Sequence, residues 1–234
     1  MARPPIDLWG VDAPIQPIEG GHRNAVFRTL DLERDLVFKS TRRTLDAVEW
    51  LLPLHDLARQ SGLVVPELLE SRNGRLVEQN WICEAFVEGH SLPKRDLNRL
   101  EPALSVFHAQ SVDIPQRPGF YSSQDLLRVD AGGDVDLTSM PGDLAEVCRE
   151  AWSAVPTEPV AIVHGDLNPD NVLLCRDGRI ALIDWDECRR DLVLFDAGHL
   201  TAVDSAARRA MLAWEVACSW QLEPDYAERM ARLL

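Results

Sequence analysis

The spacing of apolar residues predicts a strand-rich first part of the chain. Residues 24–29 alternate loosely between apolar and polar side chains, and the polar segment 31–35 makes a turn after them. Residues 36–39, three apolar residues followed by Lys39, indicate a second strand. Residues 81–86, which are mostly apolar, indicate a further strand, placed at the centre of a sheet. Together these segments indicate a β-rich first part of the chain.

A helical segment and a second hairpin are expected between these strands. From Leu45 to Ser61 the apolar residues recur at helical spacing, with Gly62 as the stop. Pro53 should kink or split this helix, because proline has no N–H to donate to the carbonyl of Glu49. Residues 68–70 and 75–77 flank Arg72-Asn73-Gly74, which is a hairpin turn signal.

The second part of the chain has a mainly helical pattern. Gly89 and Pro93 mark the expected boundary between the two parts. An acidic stretch, Asp130 to Asp136, predicts an irregular surface loop. The predicted helices are 97–110, 144–154, 205–220 and 224 to the end. The predicted strands are 160–163, 172–175 and 179–183, which together form one small β-element.

Composition and charge narrow the class of protein. The 234 residues suffice for one large domain or two small lobes. The first residues resemble no signal peptide and no apolar run approaches membrane-spanning length, so a cytoplasmic protein without a membrane partner is expected. The net charge of −14 argues against a nucleic-acid partner. It is compatible with a cationic substrate, although solubility alone explains it.

Cysteine and lysine usage add two details. The five cysteines show no CxxC spacing, which indicates reduced thiols and neither a disulfide framework nor a metal cluster. Lys39 and Lys94 are the only lysines among the 24 basic residues of the sequence. A lysine kept at the end of an apolar strand indicates that a compact ammonium is needed there.

The stretch from residue 162 to 174, IVHGDLNPDNVLL, places a polar loop between two apolar runs. Phosphoryl transfer from a nucleotide needs a carboxylate that orients the attacking hydroxyl, oxygen ligands for a metal, and a lysine on the phosphates. Asp166 and Asn171 lie five residues apart. Asp166 can supply the carboxylate for the hydroxyl, and Asn171 can supply an oxygen ligand for the metal. The alternative is a turn that these side chains cap.

A second acidic segment follows this loop. Asp184, thirteen residues after Asn171, follows a predicted strand and offers an anionic ligand of the kind that Mg²⁺ prefers. Asp186 should face the same side of an extended strand. It could therefore contact metal or a cationic substrate, or be a solvated acid.

These two segments resemble the aminoglycoside phosphotransferase family of small-molecule kinases, which share the protein-kinase fold. The similarity rests on His164-Gly165-Asp166 with Asn171, and on Ile183-Asp184-Trp185-Asp186. It implies an α+β, protein-kinase-like fold with two lobes. Residues 1–88 would form a β-rich nucleotide-binding lobe, and residues 89–234 a mainly helical catalytic and acceptor lobe.

The resemblance also implies roles for individual residues. Asp166 would be the catalytic base, and Asn171 and Asp184 would be ligands of Mg²⁺. His164 is expected to orient the loop by hydrogen bonding. The other histidines, His108 among them, show no spacing typical of a metal site.

In the first lobe the resemblance implies the nucleotide site. Gly20 and Gly21 match the family's short glycine-containing loop, whose backbone amides approach phosphates. Lys39 would hold the α- and β-phosphates of ATP. Its acidic partner on the following helix would be Glu49, with Asp46 as the alternative.

Two further segments match the family. The backbone of the hinge strand, from Glu84 to Phe86, should meet the adenine, and Asp196 should brace the catalytic loop from a helix start. Protein kinases differ in having an arginine at the position of Gly165 and in having an A-P-E segment, so regulation by loop phosphorylation is not expected.

The sequence therefore predicts an ATP- and Mg²⁺-dependent kinase that phosphorylates a hydroxyl of a small molecule. The acceptor could be an aminoglycoside, choline, a sugar, a macrolide or an amino alcohol, and the sequence does not choose among them. A nucleotide-binding module without transferase activity is the alternative hypothesis, because the helical lobe leaves little chain for an acceptor pocket. A protein kinase is a third, which Gly165 disfavours. The oligomeric state cannot be read from the sequence.

Overall fold

A computed structural model describes residues 3–18 and 23–234, which form two compact units. The first unit comprises the described residues up to His90 together with Leu173–Ile183, and the second comprises Ser91–Val172 and Asp184–Leu234. The domain boundary between residues 88 and 89 stays a prediction. A single boundary at this point would place residues 173–183 in the second part of the chain, whereas they belong to the first unit.

The secondary structure of the described residues is as follows. The strands are β1 (Ile15–Pro17), β2 (Val26–Thr29), β3 (Leu36–Ser40), β4 (Trp81–Ala85), β5 (His90–Ser91), β6 (Ala131–Gly132), β7 (Val135–Asp136), β8 (Val160–Val163), β9 (Val172–Leu174), β10 (Ile180–Leu182) and β11 (Arg189–Leu192). The α-helices are α1 (Leu45–Glu49), α2 (Leu51–Gln60), α3 (Glu101–Gln110), α4 (Gly142–Ser153), α5 (Leu194–Leu200), α6 (Ser205–Ser219) and α7 (Pro224–Ala231). Short 3-10 helices span Ile6–Trp9, Lys94–Leu100, Asp125–Leu127, Leu137–Ser139 and Trp185–Glu187.

The first unit is built on an antiparallel sheet of order β1-β2-β3-β4. The alternation that predicts β2 is visible in its burial, since Phe27 and Thr29 are buried. Phe38 is fully buried, and its ring lies 5.5 Å from that of Trp9 in an edge-to-face arrangement. These apolar contacts hold one face of the sheet against the N-terminal segment.

β4 is the last named strand in the sheet order, but it has a hydrogen-bonded neighbour on each side. Its outer edge is covered by the segment 67–69: the amide of Ala85 donates to the carbonyl of Glu67, and the amide of Leu69 donates to that of Cys83, both at 2.9 Å. This pairing satisfies edge groups that would otherwise need water. β4 is buried on both faces, which explains why its sequence resembles that of a central strand.

The hairpin expected around Arg72–Gly74 is wrong, although a turn is present there. The amide of Gly74 donates to the carbonyl of Ser71 at 2.9 Å, and Gly74 has a φ of 69°. The side chain of Glu78 accepts hydrogen bonds from Ser71 and Asn73, each at 2.9 Å. The turn is therefore closed by backbone hydrogen bonds and braced by the side chain of Glu78, while the preceding segment pairs with β4.

The helix predicted from Leu45 to Ser61 splits as expected. Helices α1 and α2 are separated at Trp50, and Pro53 is the third residue of α2. Proline is tolerated in a first turn because amides there have no partner within the helix. The break leaves α1 with only five residues.

The predicted helix 97–110 begins differently in the structure. Lys94–Leu100 forms a 3-10 helix, and the α-helical part, α3, starts at Glu101. Pro102 is the reason, because a continuous α-helix would need its missing amide for the carbonyl of Asn98. The three other predicted helices are found as α4, α6 and α7.

The β-element predicted in the second part is two separate sheets. β8 pairs with β11 in antiparallel fashion, whereas β9 lies between β10 and β5. β11 has no apolar signature because it begins Arg189-Arg190-Asp191, yet Arg189 and Asp191 are buried and paired at 2.9 Å. The acidic stretch predicted as a loop contains the hairpin β6–β7, with Val135 buried.

Aromatic side chains form the centre of the core in the second unit. The Trp214 ring lies 6.1 Å from Trp152 and 5.5 Å from Phe195. The guanidinium of Arg189 stacks 3.4 Å from the centroid of Trp214. This core supports β11 and α5, which adjoin the polar loop after β8. Within the described part of the chain, no helix has the length and apolarity needed to cross a membrane.

Candidate active site

The polar loop follows β8 and begins with a sharp reversal at Gly165. This residue has a φ of 85°, in the left-handed region that disfavours residues with a side chain. A Cβ placed there would lie 2.6 Å from Nη1 of Arg189 and 2.8 Å from the carbonyl oxygen of Glu187. The position therefore requires glycine both for its backbone angle and for the close approach of β11.

Asp166 and Asn171 lie together within this loop. Nδ2 of Asn171 donates to Oδ2 of Asp166 at 2.7 Å and to the Asp166 carbonyl oxygen at 3.0 Å. Because these bonds use the donor end of the amide, its oxygen is the end left to accept. The five-residue spacing therefore yields one carboxylate and one oriented amide oxygen.

Asn168 organises the same loop and is not among the residues predicted from the sequence. Its Nδ2 donates to Oδ1 of Asp166 at 2.9 Å, and its Oδ1 accepts from the amides of Asp170 and Asn171 at 2.8 and 3.2 Å. The Asn-Pro pair at 168–169 is a turn signal that could have identified it. The Asp166 carboxylate thus accepts two amide hydrogen bonds and keeps lone pairs for a further donor.

Asp196 braces the loop from α5, as the family resemblance implies. Its carboxylate accepts hydrogen bonds from the backbone amides of His164 at 2.8 Å and Gly165 at 3.0 Å. His108 on α3, which the sequence gives no reason to select, lies with Nε2 2.9 Å from Oδ2 of Asp196. One fully buried carboxylate therefore joins α3, α5 and the loop.

The buried environment shifts the pKa values of two side chains around the loop. Burial raises the pKa of Asp196, but the hydrogen bond and charge of His108 and the amide of Gly165 outweigh it, so the net pKa lies below the usual range. For His199 on α5, burial lowers the pKa, and the charges of Asp196 and Asp166 oppose this only in part. Asp196 is therefore anionic and His199 neutral near pH 7.

His164 is fully buried and orients the loop, as expected. Its Nδ1 accepts from the backbone amide of Asp166 at 3.3 Å. Its ring meets that of Trp185 edge-to-face at 5.0 Å. Trp185 follows directly after Asp184, so this contact joins the loop to the second acidic segment.

Asp184 adopts a left-handed conformation, with φ of 62° and ψ of 66°. β10 ends at Leu182, and Trp185–Glu187 is a 3-10 turn. The expectation that Asp184 and Asp186 face one side of an extended strand is therefore wrong, because the backbone turns at Asp184. A carboxylate at such a turn is held by its surroundings and not by local preference.

The oxygen donors of Asn171 and Asp184 suit a hard cation. Within the described part of the chain, no group of three or more His, Cys, Asp or Glu side chains is arranged to hold a metal. Mg²⁺ bound with a nucleotide commonly takes only one or two protein ligands and completes its shell with phosphate and water. One amide oxygen and one carboxylate fit that requirement.

In the first unit, the structure places Lys39 beside an acidic residue of the sheet, and the pairing with Glu49 or Asp46 stays a prediction. Nζ of Lys39 lies 3.1 Å from Oε2 of Glu84 on the neighbouring strand β4. Glu49 is exposed at the end of the short helix α1, and Asp46 accepts instead from the hydroxyl of Thr44 and the amide of Ala47. The ion pair of Lys39 with Glu84 therefore follows from the register of β3 and β4.

The predicted hinge segment already makes hydrogen bonds at two of its backbone amides. The amide of Ala85 donates to Glu67, and that of Phe86 donates to the carbonyl of Asp35 at 2.9 Å. The ring of Phe86 lies under the guanidinium of Arg28 at 3.7 Å. These two amides are therefore already used within the unit. Gly20 and Gly21 lie outside the described residues.

Substitution of Gly165 by alanine should cost more stability than any other small change in this loop. A left-handed alanine costs about 1–2 kcal/mol, and the close contacts add roughly 1–3 kcal/mol of overpacking. Gly178 is a matched control, because it has a φ of 84° but no atom within 4 Å of a built Cβ. Denaturant unfolding should show a larger loss for Gly165→Ala than for Gly178→Ala. Equal losses would mean that the contact with β11 is unimportant.

Comparison with known proteins identifies the family of the chain. The sequence profile of the phosphotransferase enzyme family, which includes the aminoglycoside phosphotransferases, matches residues 14–231. The chain therefore belongs to this family, and the prediction of a small-molecule kinase is confirmed.

Solved structures with a similar fold include three small-molecule kinases. Aminoglycoside phosphotransferase APH(4)-Ia has a TM-score of 0.68 and 14% identity, with 97% of this chain and 93% of that chain covered. Spectinomycin phosphotransferase APH(9)-Ia, in complex with ADP and spectinomycin, has a TM-score of 0.61 and 17% identity, with 97% of this chain and 89% of that chain covered. Choline kinase LicA from Streptococcus pneumoniae has a TM-score of 0.58 and 14% identity, with 94% of this chain and 87% of that chain covered. At these identities the similarity concerns the fold, and the predicted protein-kinase-like α+β class is confirmed.

Proposed function

We propose that this protein transfers the γ-phosphate of ATP to a hydroxyl group of a small molecule, with Mg²⁺ as the metal. The observation that carries the proposal is the hydrogen-bonded pair of Asp166 and Asn171, 2.7 Å apart in a loop braced by the buried Asp196. A carboxylate for the acceptor hydroxyl and an oxygen ligand for the metal are two of the groups that phosphoryl transfer requires of a protein.

In this proposal Asp166 is the catalytic base. Its carboxylate orients the acceptor hydroxyl and takes its proton while the hydroxyl oxygen attacks the γ-phosphorus. The bond from the γ-phosphorus to the bridging oxygen breaks, and ADP leaves with that oxygen. The hydrogen bonds from Asn168 and Asn171 fix the direction of the carboxylate and leave lone pairs for the hydroxyl.

The amide oxygen of Asn171 and the carboxylate of Asp184 would hold Mg²⁺. When bound, Mg²⁺ neutralises charge on the phosphate oxygens of ATP. The left-handed backbone at Asp184 aims its side chain away from the direction that a continuing strand would give. The role of Asp186 stays open between metal, substrate and solvent.

Lys39 would hold the α- and β-phosphates. Its ammonium is paired at 3.1 Å with Glu84, so we propose that a strand carboxylate orients it in place of a helix carboxylate. The adenine would contact the hinge beyond Phe86, because the amides of Ala85 and Phe86 are already bonded. Complexes of APH(9)-Ia with ADP and AMP support an adenine nucleotide as donor. The phosphate role of Gly20 and Gly21 rests on the sequence.

The acceptor is proposed only as a class, a small molecule with a free hydroxyl. Structures of similar fold are described as phosphotransferases for spectinomycin, a choline kinase and a putative fructosamine-3-kinase. The net charge of −14 favours a cationic acceptor over an anionic one. The family and the charge give no reason to expect a nucleic-acid partner. We place the reaction in the cytoplasm, where ATP is available.

A phosphate-transfer screen tests the proposal. Purified protein would be incubated with Mg-ATP or Mg-GTP and with aminoglycosides, choline, amino sugars, sugars and macrolides, and labelled product would be measured. We expect Mg²⁺-dependent transfer to at least one class, at a rate about 100- to 10,000-fold lower with the variant Asp166→Asn. Tight Mg-nucleotide binding without transfer to any acceptor would favour the nucleotide-binding module instead. Labelling of a protein substrate alone would favour a protein kinase.

A further inference from the structure

A buried arginine outside every motif contacts the segment that follows Asp184. Arg117 lies in the irregular segment after α3 and is 1% exposed. Its Nη1 is 2.7 Å from the carbonyl oxygen of Asp186 and 3.2 Å from that of Cys188. The Trp185 carbonyl oxygen is 3.4 Å away. One guanidinium nitrogen therefore faces three carbonyls of a single turn.

The neighbouring Gln116 fixes the other end of the same turn. Its Nε2 donates to the carbonyl of Arg190 at 2.8 Å, and its Oε1 accepts from the Arg190 amide at 2.9 Å. Oε1 also accepts from the amide of Arg117 at 2.9 Å. Gln116 and Arg117 together therefore form a clamp on residues 185–190.

The clamp matters because of the backbone at Asp184. A non-glycine residue with φ of 62° is uncommon, and even aspartate, which adopts this region more readily than most residues, depends on its surroundings to stay there. The left-handed residue is followed at once by the 3-10 turn that Arg117 holds. If that turn relaxed, Asp184 could return to an ordinary backbone conformation, and its carboxylate would change direction.

Arg117 is itself held in place. Its guanidinium stacks 4.5 Å from the ring centroid of Phe120, and its backbone amide is bonded to Gln116. Arginine suits this position because a planar guanidinium can both stack on a ring and donate to several carbonyls. A lysine side chain has no planar group to stack on the ring, and its ammonium would not reach these carbonyls.

We infer that Arg117 is a positioning residue for the metal ligand Asp184, acting through the carbonyls of the 185–188 turn. This inference rests on the proposed function, in which Asp184 binds Mg²⁺. Arg117 does not contact the metal or the substrate. Its loss should therefore weaken Mg²⁺ binding without changing the catalytic base.

The test compares Arg117→Met with the wild type. Methionine keeps an apolar stem beside Phe120 but removes the donors. Calorimetric titration with ADP at a series of Mg²⁺ concentrations should show the half-saturating Mg²⁺ concentration rising about 10- to 100-fold, as for other residues that support a metal ligand. Binding of ADP without Mg²⁺ should not change. Hydrogen exchange of the metal-free protein should become faster at residues 184–190 and stay unchanged at 164–171.

Two further variants make the result decisive. Arg149→Met is the control, because Arg149 also donates to a carbonyl, that of Leu126 at 3.1 Å, but contacts no residue of the 184–190 segment in any bond described. It should leave the Mg²⁺ requirement unchanged. Gln116→Ala loosens the same turn with a smaller loss of buried contacts and should raise the Mg²⁺ requirement by less. Gln116→Ala replaces Arg117→Met as the test variant if Arg117→Met does not fold.

The outcomes separate the two proposals. A wild-type protein whose nucleotide binding ignores Mg²⁺ overturns the proposed function, and with it the metal part of this inference. Unchanged exchange at 184–190 in both clamp variants overturns the clamp whatever the metal does. Faster exchange with an unchanged Mg²⁺ requirement shows that Asp184 does not depend on Arg117, and this also overturns the inference.

Discussion

Replacement of Asp166 by asparagine should lower the rate of phosphate transfer by about 100- to 10,000-fold, which is the range that a general base contributes. The asparagine side chain has nearly the same shape but cannot take the proton of the acceptor hydroxyl. Its oxygen can still accept one of the two hydrogen bonds that Asn168 and Asn171 donate to Asp166, at 2.9 and 2.7 Å. The loop should therefore stay folded, and the loss should be in kcat.

The matching control is Asp170→Asn. Asp170 is an exposed aspartate of the same loop, and the contact described for it is made by its backbone amide. This variant makes the same chemical change four residues away and should retain the wild-type rate. Steady-state transfer rates and the affinity for Mg-ADP should be measured for both proteins. If Asp166→Asn keeps more than a tenth of the wild-type kcat, Asp166 is not the base.

Replacement of Asp196 by asparagine should cause the largest loss of stability, about 3–5 kcal/mol, because each buried donor left without a partner costs about 1–3 kcal/mol. The fully buried carboxylate accepts from His108 and from the amides of His164 and Gly165. An asparagine has a single acceptor oxygen and points its NH₂ group at one of these donors. At least one buried donor is then left without a partner.

The pH dependence gives a second measurement of the same residue. Burial raises the pKa of Asp196, but the interactions with His108 and the loop amide lower it further, so its folded pKa lies below the unfolded value of 3.8. The stability from ionisation is therefore complete above pH 3.8 and is lost as the pH falls through the folded pKa. The difference in unfolding free energy between wild type and Asp196→Asn should shrink on acidification below 3.8.

Asp204→Asn is the control for this comparison. Asp204 caps α6 by accepting from the amide of Ala207 at 2.8 Å, and asparagine is an equally good cap. Its effect on unfolding in urea should stay within about 0.5 kcal/mol, the range usual for surface substitutions. A loss from Asp196→Asn no larger than this would mean that the brace contributes little to the fold.

Much of the fold follows from local patterns. The alternation around Phe27 and the apolar run before Lys39 predict β2 and β3, and the positions of α4, α6 and α7 follow from helical spacing. The break near Pro53 follows from a missing amide. Local patterns fail at β11, because a strand that begins with two arginines and an aspartate has no apolar signature.

The sequence by itself determined the loop from His164 to Asn171 and the family of the protein. Asp166 and Asn171 are close because they are five residues apart in one tight turn. Their spacing in the sequence is therefore enough to predict that they are in contact.

Only the tertiary structure decided that Glu84 pairs with Lys39, that His108 meets Asp196, and that Arg117 holds the turn after Asp184. The physical reason is distance along the chain. A contact between distant segments depends on strand register and core packing, which no short stretch of sequence contains.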